Sequence, residues 1–288
     1  MLPTAQPKDL CALCNGTGWK PFGDGGIERV TRCDCWRAAQ MTRVIKATGI
    51  PARYLHCTLN NFMMYENEGL TNAVKSARRF ADRFPVVEKG LFFVGPPGIG
   101  KTHLSVALLK HAVEEKGATA LFCDVPELLK TIRNTYNPVM KTAEIDVLRP
   151  VMEADLLVLD DLGKERTTEW VEETLNLLVN TRYNQKRITI FTSNFEEKED
   201  RTDPDSLLVR VGFRMHSRLY EMCEFVEFEG ADYRHRPTNA GPDDLLTMWK
   251  MNRNKPRLPG RVSGPMKAHL RGDGKADLKW SGGRGGSK

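Results

Sequence analysis

The chain has 288 residues, 40% of them hydrophobic and 28% charged, enough apolar material for an ordinary core without disulfide staples. Its apolar runs reach only about four residues, as in Leu156–Leu159, which excludes a transmembrane helix of roughly 20; Met1–Leu10 also lacks an apolar secretory stretch, so a reducing, cytoplasmic setting is expected. The net charge of +6 is concentrated at one end, where Thr238–Lys288 carries 11 Lys or Arg against 4 Asp or Glu, a tail that reads either as an attraction for polyanions or as a solvated extension.

Residues 1–45 read as a zinc-binding module. Cys11-x2-Cys14 and Cys33-x-Cys35 supply four of the seven cysteines, separated by an 18-residue loop. Four thiolates make a closed, structural tetrahedral zinc site with no open position for water. Gly16, Gly18, Gly23, Gly25 and Gly26 permit the turns that bring the pairs together. No His lies between the pairs, and His56 falls too late. A redox dithiol pair and unconnected cysteines are the alternatives. Trp19, Phe22 and Trp36 read as a shield for the metal or as an apolar contact surface.

Residues 46–89 are a connector with one predicted helix, Glu68–Phe84. Residues 90–234 alternate apolar runs with amphipathic stretches. The runs are Leu91–Val94, Ala118–Asp124, Asp155–Leu159, Ile188–Ser193 and Phe225–Phe228. The predicted helices between them are Lys101–Glu115, Pro126 to about Asn134, and Thr168–Gln185. Apolar runs without alternation predict strands buried on both faces. Intervening helices predict parallel pairing with right-handed crossovers. The fold class is therefore α/β, a three-layer αβα sandwich around a parallel sheet. Cys57, Cys123 and Cys223 read as small core residues. Residues 235–288 read as a basic disordered tail.

The chemistry concentrates at the ends of these strands. Gly95-Pro96-Pro97-Gly98-Ile99-Gly100-Lys101-Thr102 fits the GxxxxGK[ST] pattern. Its glycines let backbone N–H groups curl around a phosphate at a helix N-terminus. Lys101 can reach the β- and γ-phosphates of ATP, and the Thr102 hydroxyl can hold Mg²⁺. His103 adjoins this cofactor-binding run and is expected to pack on the helix surface rather than act as a base. Asp160 and Asp161 end an apolar strand, where a parallel sheet presents its ligand crevice. Asp160 is expected as the second Mg²⁺ ligand and Asp161 as the group that orients the attacking water; the alternative is that both acids merely end the strand and cap a turn before Gly163. Asn194, after Thr192 and Ser193, is the choice for holding that water against the γ-phosphate. Arg214 and Arg218, four apart on a predicted helix, share one face. Such an arginine, given by a neighbouring subunit, neutralises transition-state charge. Tyr136, near Lys130, Arg133 and Lys141, is a candidate stacking platform for a DNA base or a packed helix-end tyrosine.

GPPGIGKTHL, LLVLDDLG, FTSN and FRMHSRLYE, in this order and spacing, resemble the bacterial and phage helicase-loader ATPases of the DnaC/DnaI type. These belong to the AAA+ class of P-loop NTPases and stand close to the IstB transposition helpers. The resemblance covers roughly residues 48–236, from Gly49-Ile50-Pro51-Ala52-Arg53-Tyr54 to Glu229-Gly230-Ala231-Asp232-Tyr233-Arg234. It implies that Arg218 is the finger acting in trans, with Arg214 a companion near the nucleotide. It implies that an insertion over about Thr131–Glu153 faces single-stranded DNA, and that no C-terminal lid domain follows. It implies a replicative ring helicase of the DnaB type as partner, with the zinc module docking on it. The expected cofactors are ATP, Mg²⁺ and Zn²⁺. A transposition helper preferring duplex DNA, and a nucleotide-gated adaptor that barely hydrolyses, are the competing readings. A small-molecule kinase fits worse, for want of a substrate lid.

Overall fold

The computed structural model describes residues 11–22, 29–137, 143–196, 203, 205–236 and 241–253. The chain divides into a unit over Met1–Lys250 and a second over Met251–Lys288, of which 251–253 are described.

Two short strands, β1 (Trp19–Phe22) and β2 (Arg29–Arg32), pair antiparallel with Trp19 opposite Arg32. Helix α1 (Asp34–Ala47) starts directly at Cys33. It runs through the boundary expected at residue 45, so the cysteine module and the connector share one helix. The carbonyl of Thr48, its C-cap, accepts the Phe122 N–H at 2.7 Å. Asn67 caps α2 (Glu68–Arg83), its side chain accepting the Leu70 N–H at 2.9 Å.

The central strands are separated by helices, with two helices between β4 and β5: β3 (Gly90–Val94), α3 (Lys101–Lys116), β4 (Ala120–Asp124), α4 (Val125–Thr135), α5 (Glu144–Glu153), β5 (Leu156–Asp160), α6 (Glu169–Asn184) and β6 (Ile188–Ser193). Then come α7 (Leu207–Val211), α8 (Phe213–Met222), β7 (Cys223–Glu227) and α9 (Pro242–Arg253). All five long strands pair in parallel, in the order β4-β5-β6-β3-β7. The pleat divides each strand between two apolar layers. Leu91 and Phe93 enter the layer under α2 and α3; Phe92 and Val94 enter the layer under α4, α5 and α6. This is the expected three-layer sandwich, and none of its described helices is long and apolar enough to cross a membrane.

One buried cation organises the second layer. Arg182 is fully buried, and burial pulls its pKa down to about 9. Its guanidinium donates to the carbonyls of Val151, Met152 and Ala154 at the end of α5, and to Ile188 O and Thr189 Oγ1 at the start of β6. A helix C-terminus leaves such carbonyls unpaired, so α5 is pinned to the sheet by a side chain of α6.

Three expectations shift. The last strand begins two residues early, at Cys223, because Cys223 pairs opposite Gly90. The tail is not wholly irregular: Leu245 on α9 is buried in the first layer, and Trp249 lies 6.4 Å from the Tyr65 ring. Cys57 and Cys223 are buried as core residues, whereas Cys123, on edge strand β4, is only half-buried.

Candidate nucleotide and metal sites

Residues 95–100 link β3 to α3, and the loop folds tightly because its glycines adopt conformations closed to other residues. Gly98 has φ +80° and Gly100 φ +101°. A Cβ on Gly98 would overlap the Asp232 carboxylate, and one on Gly100 would press into the Phe62 ring. The loop is therefore held from outside by Asp232 and Phe62. The Tyr233 N–H adds a bond to Gly98 O at 2.9 Å.

Lys101 is buried. Its ammonium donates to Gly95 O at 2.6 Å, Pro96 O at 2.7 Å and Asn194 Oδ1 at 2.8 Å. Burial lowers its pKa to about 8, against the opposing charges of Asp161 and Asp160. Asp160 ends β5 beside α3. Its carboxylate accepts from Thr102 Oγ1, 3.0 and 3.1 Å from its two oxygens, and from Thr192 Oγ1 at 2.6 Å. Burial pushes its pKa up to about 6 despite these bonds. A hydroxyl and a carboxylate in contact form the hard-oxygen pair that suits Mg²⁺, so Thr102 and Asp160 fit the role.

Asp161 leaves the strand in a left-handed conformation, φ +62°. Its N–H donates to Thr192 Oγ1 at 3.0 Å. Its Oδ1 accepts from Asn194 Nδ2 at 3.1 Å, and its Oδ2 from Lys164 Nζ at 2.7 Å. Asn194 therefore bridges Lys101 and Asp161; its orientation follows from the network, since an ammonium only donates. Six of the candidate residues thus come together, namely Gly95, Pro96, Lys101, Thr102, Asp160 and Asp161, with Asn194 as the seventh. Pro97, Gly98, Ile99 and Gly100 complete the loop, where Ile99 is buried in the first layer.

His103 lies one step away and is a buttress. Its Nε2 sits 3.0 Å from Thr58 O, its ring packs edge-on to Phe62, and burial lowers its pKa. Arg218 and Arg214 are elsewhere. Arg218 Nη1 donates to Arg214 O at 3.0 Å, and Arg214 lines a groove with Glu169, Glu172, Glu173, Asn176 and Phe213. Among the described residues, neither bonds to the phosphate loop of its own chain. Arg234 is the cation whose charge reaches Lys101 and helps lower its pKa. Sequence reasoning singled out neither Arg234, Asp232, Thr192 nor Lys164 for this site; only the closing Asp232-Tyr233-Arg234 string hinted at the first two.

The four cysteines do converge. The Sγ atoms of Cys11, Cys14, Cys33 and Cys35 all lie within 4.8 Å of one another, against an edge of roughly 3.8 Å for a tetrahedron of 2.3 Å zinc–sulfur bonds. The β1–β2 hairpin brings them there, with the Cys33 N–H on Gly18 O at 2.8 Å. Hydrogen bonding to Cys35 lowers the Cys14 thiol to about 7, and Cys35 rises to about 12. The donor set fits Zn²⁺. Arg32 lies against both the Trp19 and Trp36 rings, at 3.8 and 4.2 Å, while Phe22 is 65% exposed.

Tyr136 is 54% exposed. Its hydroxyl donates to Glu144 Oε2 at 3.1 Å and accepts from Trp170 Nε1 at 3.2 Å. Arg133 covers the Trp170 ring at 4.7 Å. Trp170 belongs to this cluster and was not expected there; Lys141 lies outside the described residues.

Residues 40–240 match the family described as IstB-like ATP binding protein. The replicative helicase loader DnaC of Escherichia coli (strain K12) is 29% identical over 163 residues, 56% of this chain and 65% of that protein. DnaC of Buchnera aphidicola subsp. Acyrthosiphon pisum is 28% identical over 162 residues, with the same coverage. The chain thus spans just under two thirds of the length of these curated relatives. A crystal structure of the DnaC helicase loader aligns with a TM-score of 0.55 at 34% identity, over 62% of this chain and 100% of that one. AMPPCP-bound DnaA from Aquifex aeolicus shares the fold, with a TM-score of 0.51 at 22% identity, over 64% of this chain and 53% of that one. With its phosphate loop and acid pair inside the matched span, the chain belongs to the IstB-like ATP-binding proteins, as a DnaC-type member of the AAA+ class.

Proposed function

We propose that the chain is an ATPase that loads a replicative ring helicase of the DnaB type onto single-stranded DNA, with ATP binding and hydrolysis controlling assembly and release. The observation that carries the ATPase reading is the unbroken polar chain from Lys101 through Asn194 to Asp161, with Thr102 and Asp160 beside it. It joins the group that grips phosphates to the groups that place water.

In this reading ATP lies along residues 95–102, and Lys101 exchanges the Gly95 and Pro96 carbonyls for β- and γ-phosphate oxygens. Thr102 and Asp160 would hold Mg²⁺, which would supply neutralising charge to the phosphates. Asp161 and Asn194 orient a water against the γ-phosphorus. The new P–O bond forms as the bond to ADP breaks, and ADP and phosphate are the products. Arg218 from an adjoining copy faces the charge that develops, with Arg214 as its companion; self-association then governs turnover. Arg234, whose charge reaches Lys101, would add a second positive charge of the same chain near the phosphates.

The DnaC relatives support the helicase as partner. Single-stranded DNA would stack on Tyr136 and Trp170, with Arg133 and Lys130 meeting its backbone. Zn²⁺ held by Cys11, Cys14, Cys33 and Cys35 would fix the Cys11–Cys14 turn and the hairpin, whose exposed Leu13, Phe22 and Val30 would meet the helicase.

The test is an ATPase titration with single-stranded DNA and a ring helicase. Lys101→Ala and Arg218→Ala should each abolish most turnover, and mixing them should restore part of it through mixed interfaces. Absence of association with the helicase refutes the loader part. The engagement of both Asp161 oxygens favours one second reading, a nucleotide-gated adaptor. ATP binding that needs Lys101, without turnover, would establish it. Preference for duplex over single strands would favour the transposition helper.

A further inference from the structure

Asp161 is held by more than its partner in the phosphate network. Between Asp161 and Lys164 the chain makes a tight turn. The Lys164 N–H donates to Asp161 O at 3.3 Å, and Asp161 and Gly163 both take positive φ, +62° and +86°. A Cβ on Gly163 would sit 3.1 Å from Arg210 Cβ and 3.2 Å from the Phe195 ring, so the turn has little room to reshape. It folds the Lys164 side chain back onto the carboxylate of its own turn, Nζ to Oδ2 at 2.7 Å.

A carboxylate oxygen that already accepts one hydrogen bond can accept another, but an ammonium on it weakens its pull on a water. Here Oδ1 is engaged by Asn194, and Oδ2 is engaged and neutralised by an ammonium. When Lys101 turns to a triphosphate, Asn194 Oδ1 is released, but nothing in that movement releases Asp161 Oδ2.

We propose that Lys164 is a restraint on Asp161: its ammonium, folded onto the carboxylate by the turn after β5, holds Asp161 back from placing the attacking water. Lys164 is thus a positioning residue acting through Asp161, and it works against turnover. Its side chain is 58% exposed and that of Asp161 23%, so the pair is of the surface kind, worth at most about 1 kcal/mol, or roughly fivefold in rate. This inference rests on the hydrolysis reading above.

The experiment measures steady-state ATP hydrolysis by the full chain, with Mg²⁺, for wild type, Lys164→Met, Lys164→Arg, Asp161→Asn and the Lys164→Met/Asp161→Asn double variant. Thermal melts and binding of a fluorescent ATP analogue confirm folding. The proposal requires Lys164→Met to raise kcat two- to fivefold with KM for ATP unchanged. Lys164→Arg, which keeps the charge, must keep the lower rate. The double variant must be as slow as Asp161→Asn, since the lysine acts only through that carboxylate. A kcat for Lys164→Met at or below wild type, or a rise that persists in the double variant, overturns the proposal. If wild type and Lys164→Met both bind the analogue and neither turns over, the hydrolysis reading fails and takes the proposal with it. If wild type turns over and Lys164→Met is no faster, the proposal alone fails.

Discussion

Thr192→Val tests the electrostatics of the site most directly. Valine keeps the shape and the β-branching that suits a strand, and deletes one hydroxyl. That hydroxyl donates to Asp160 Oδ1 at 2.6 Å and accepts from the Asp161 N–H at 3.0 Å. A hydrogen bond to a charged group contributes about 1.5–3 kcal/mol, and one pKa unit corresponds to about 1.4 kcal/mol. Losing it should therefore raise the Asp160 pKa by about one to two units from its value of about 6. At pH 7 wild type is then about nine-tenths ionised, and the variant about half or less. The sign for stability follows. A carboxyl whose pKa is higher folded than unfolded holds more protons in the fold, so it contributes stability below about pH 4 that is lost as pH rises through about 6. Metal-assisted nucleotide binding needs the ionised form and runs the opposite way. The assay is Mg²⁺-dependent binding of a fluorescent ATP analogue from pH 5 to 8.5, with ¹³C NMR of the aspartate carboxyls. Wild type should gain affinity around pH 6, and Thr192→Val around pH 7 to 8. Coincident midpoints would refute the assignment of Asp160 as a buried, hydroxyl-supported carboxylate.

Arg182→Met should lower stability by about 3–5 kcal/mol in denaturant unfolding, because five acceptors, three of them in buried bonds and two in part-buried ones, lose their donor; a loss under 1 kcal/mol contradicts the pinning of α5. Zinc analysis should find one ion per chain. A chelator, or Cys14→Ser, should release it and open the β1–β2 hairpin to proteolysis, while analogue binding at the phosphate loop is kept. Trp170→Ala and Tyr136→Ala should each weaken binding of a single-stranded oligonucleotide by about 1–3 kcal/mol without changing analogue affinity. Unchanged oligonucleotide binding in both places the DNA path elsewhere.

Local rules carried much of this protein. The GxxxxGK[ST] run pointed to a candidate phosphate loop, and the apolar strand ending in two acids pointed to Asp160 and Asp161 beside it. Buried strands without alternation told of a parallel sheet, and sheet geometry puts every such strand end on one crevice. The paired cysteines announced their own convergence, because a short hairpin is all that joining them takes. What waited for the tertiary structure were contacts between segments far apart in sequence. Asp232 lies against Gly98, Thr192 bridges the two acids, Trp170 reaches Tyr136, and Arg182 holds the end of α5. No periodicity encodes these, since each depends on how strands and helices are ordered in space. The helix within the supposedly irregular tail was hidden for the same reason: Leu245 and Trp249 look like isolated apolar residues until the connector's Tyr65 and the first core layer supply the surface that buries them.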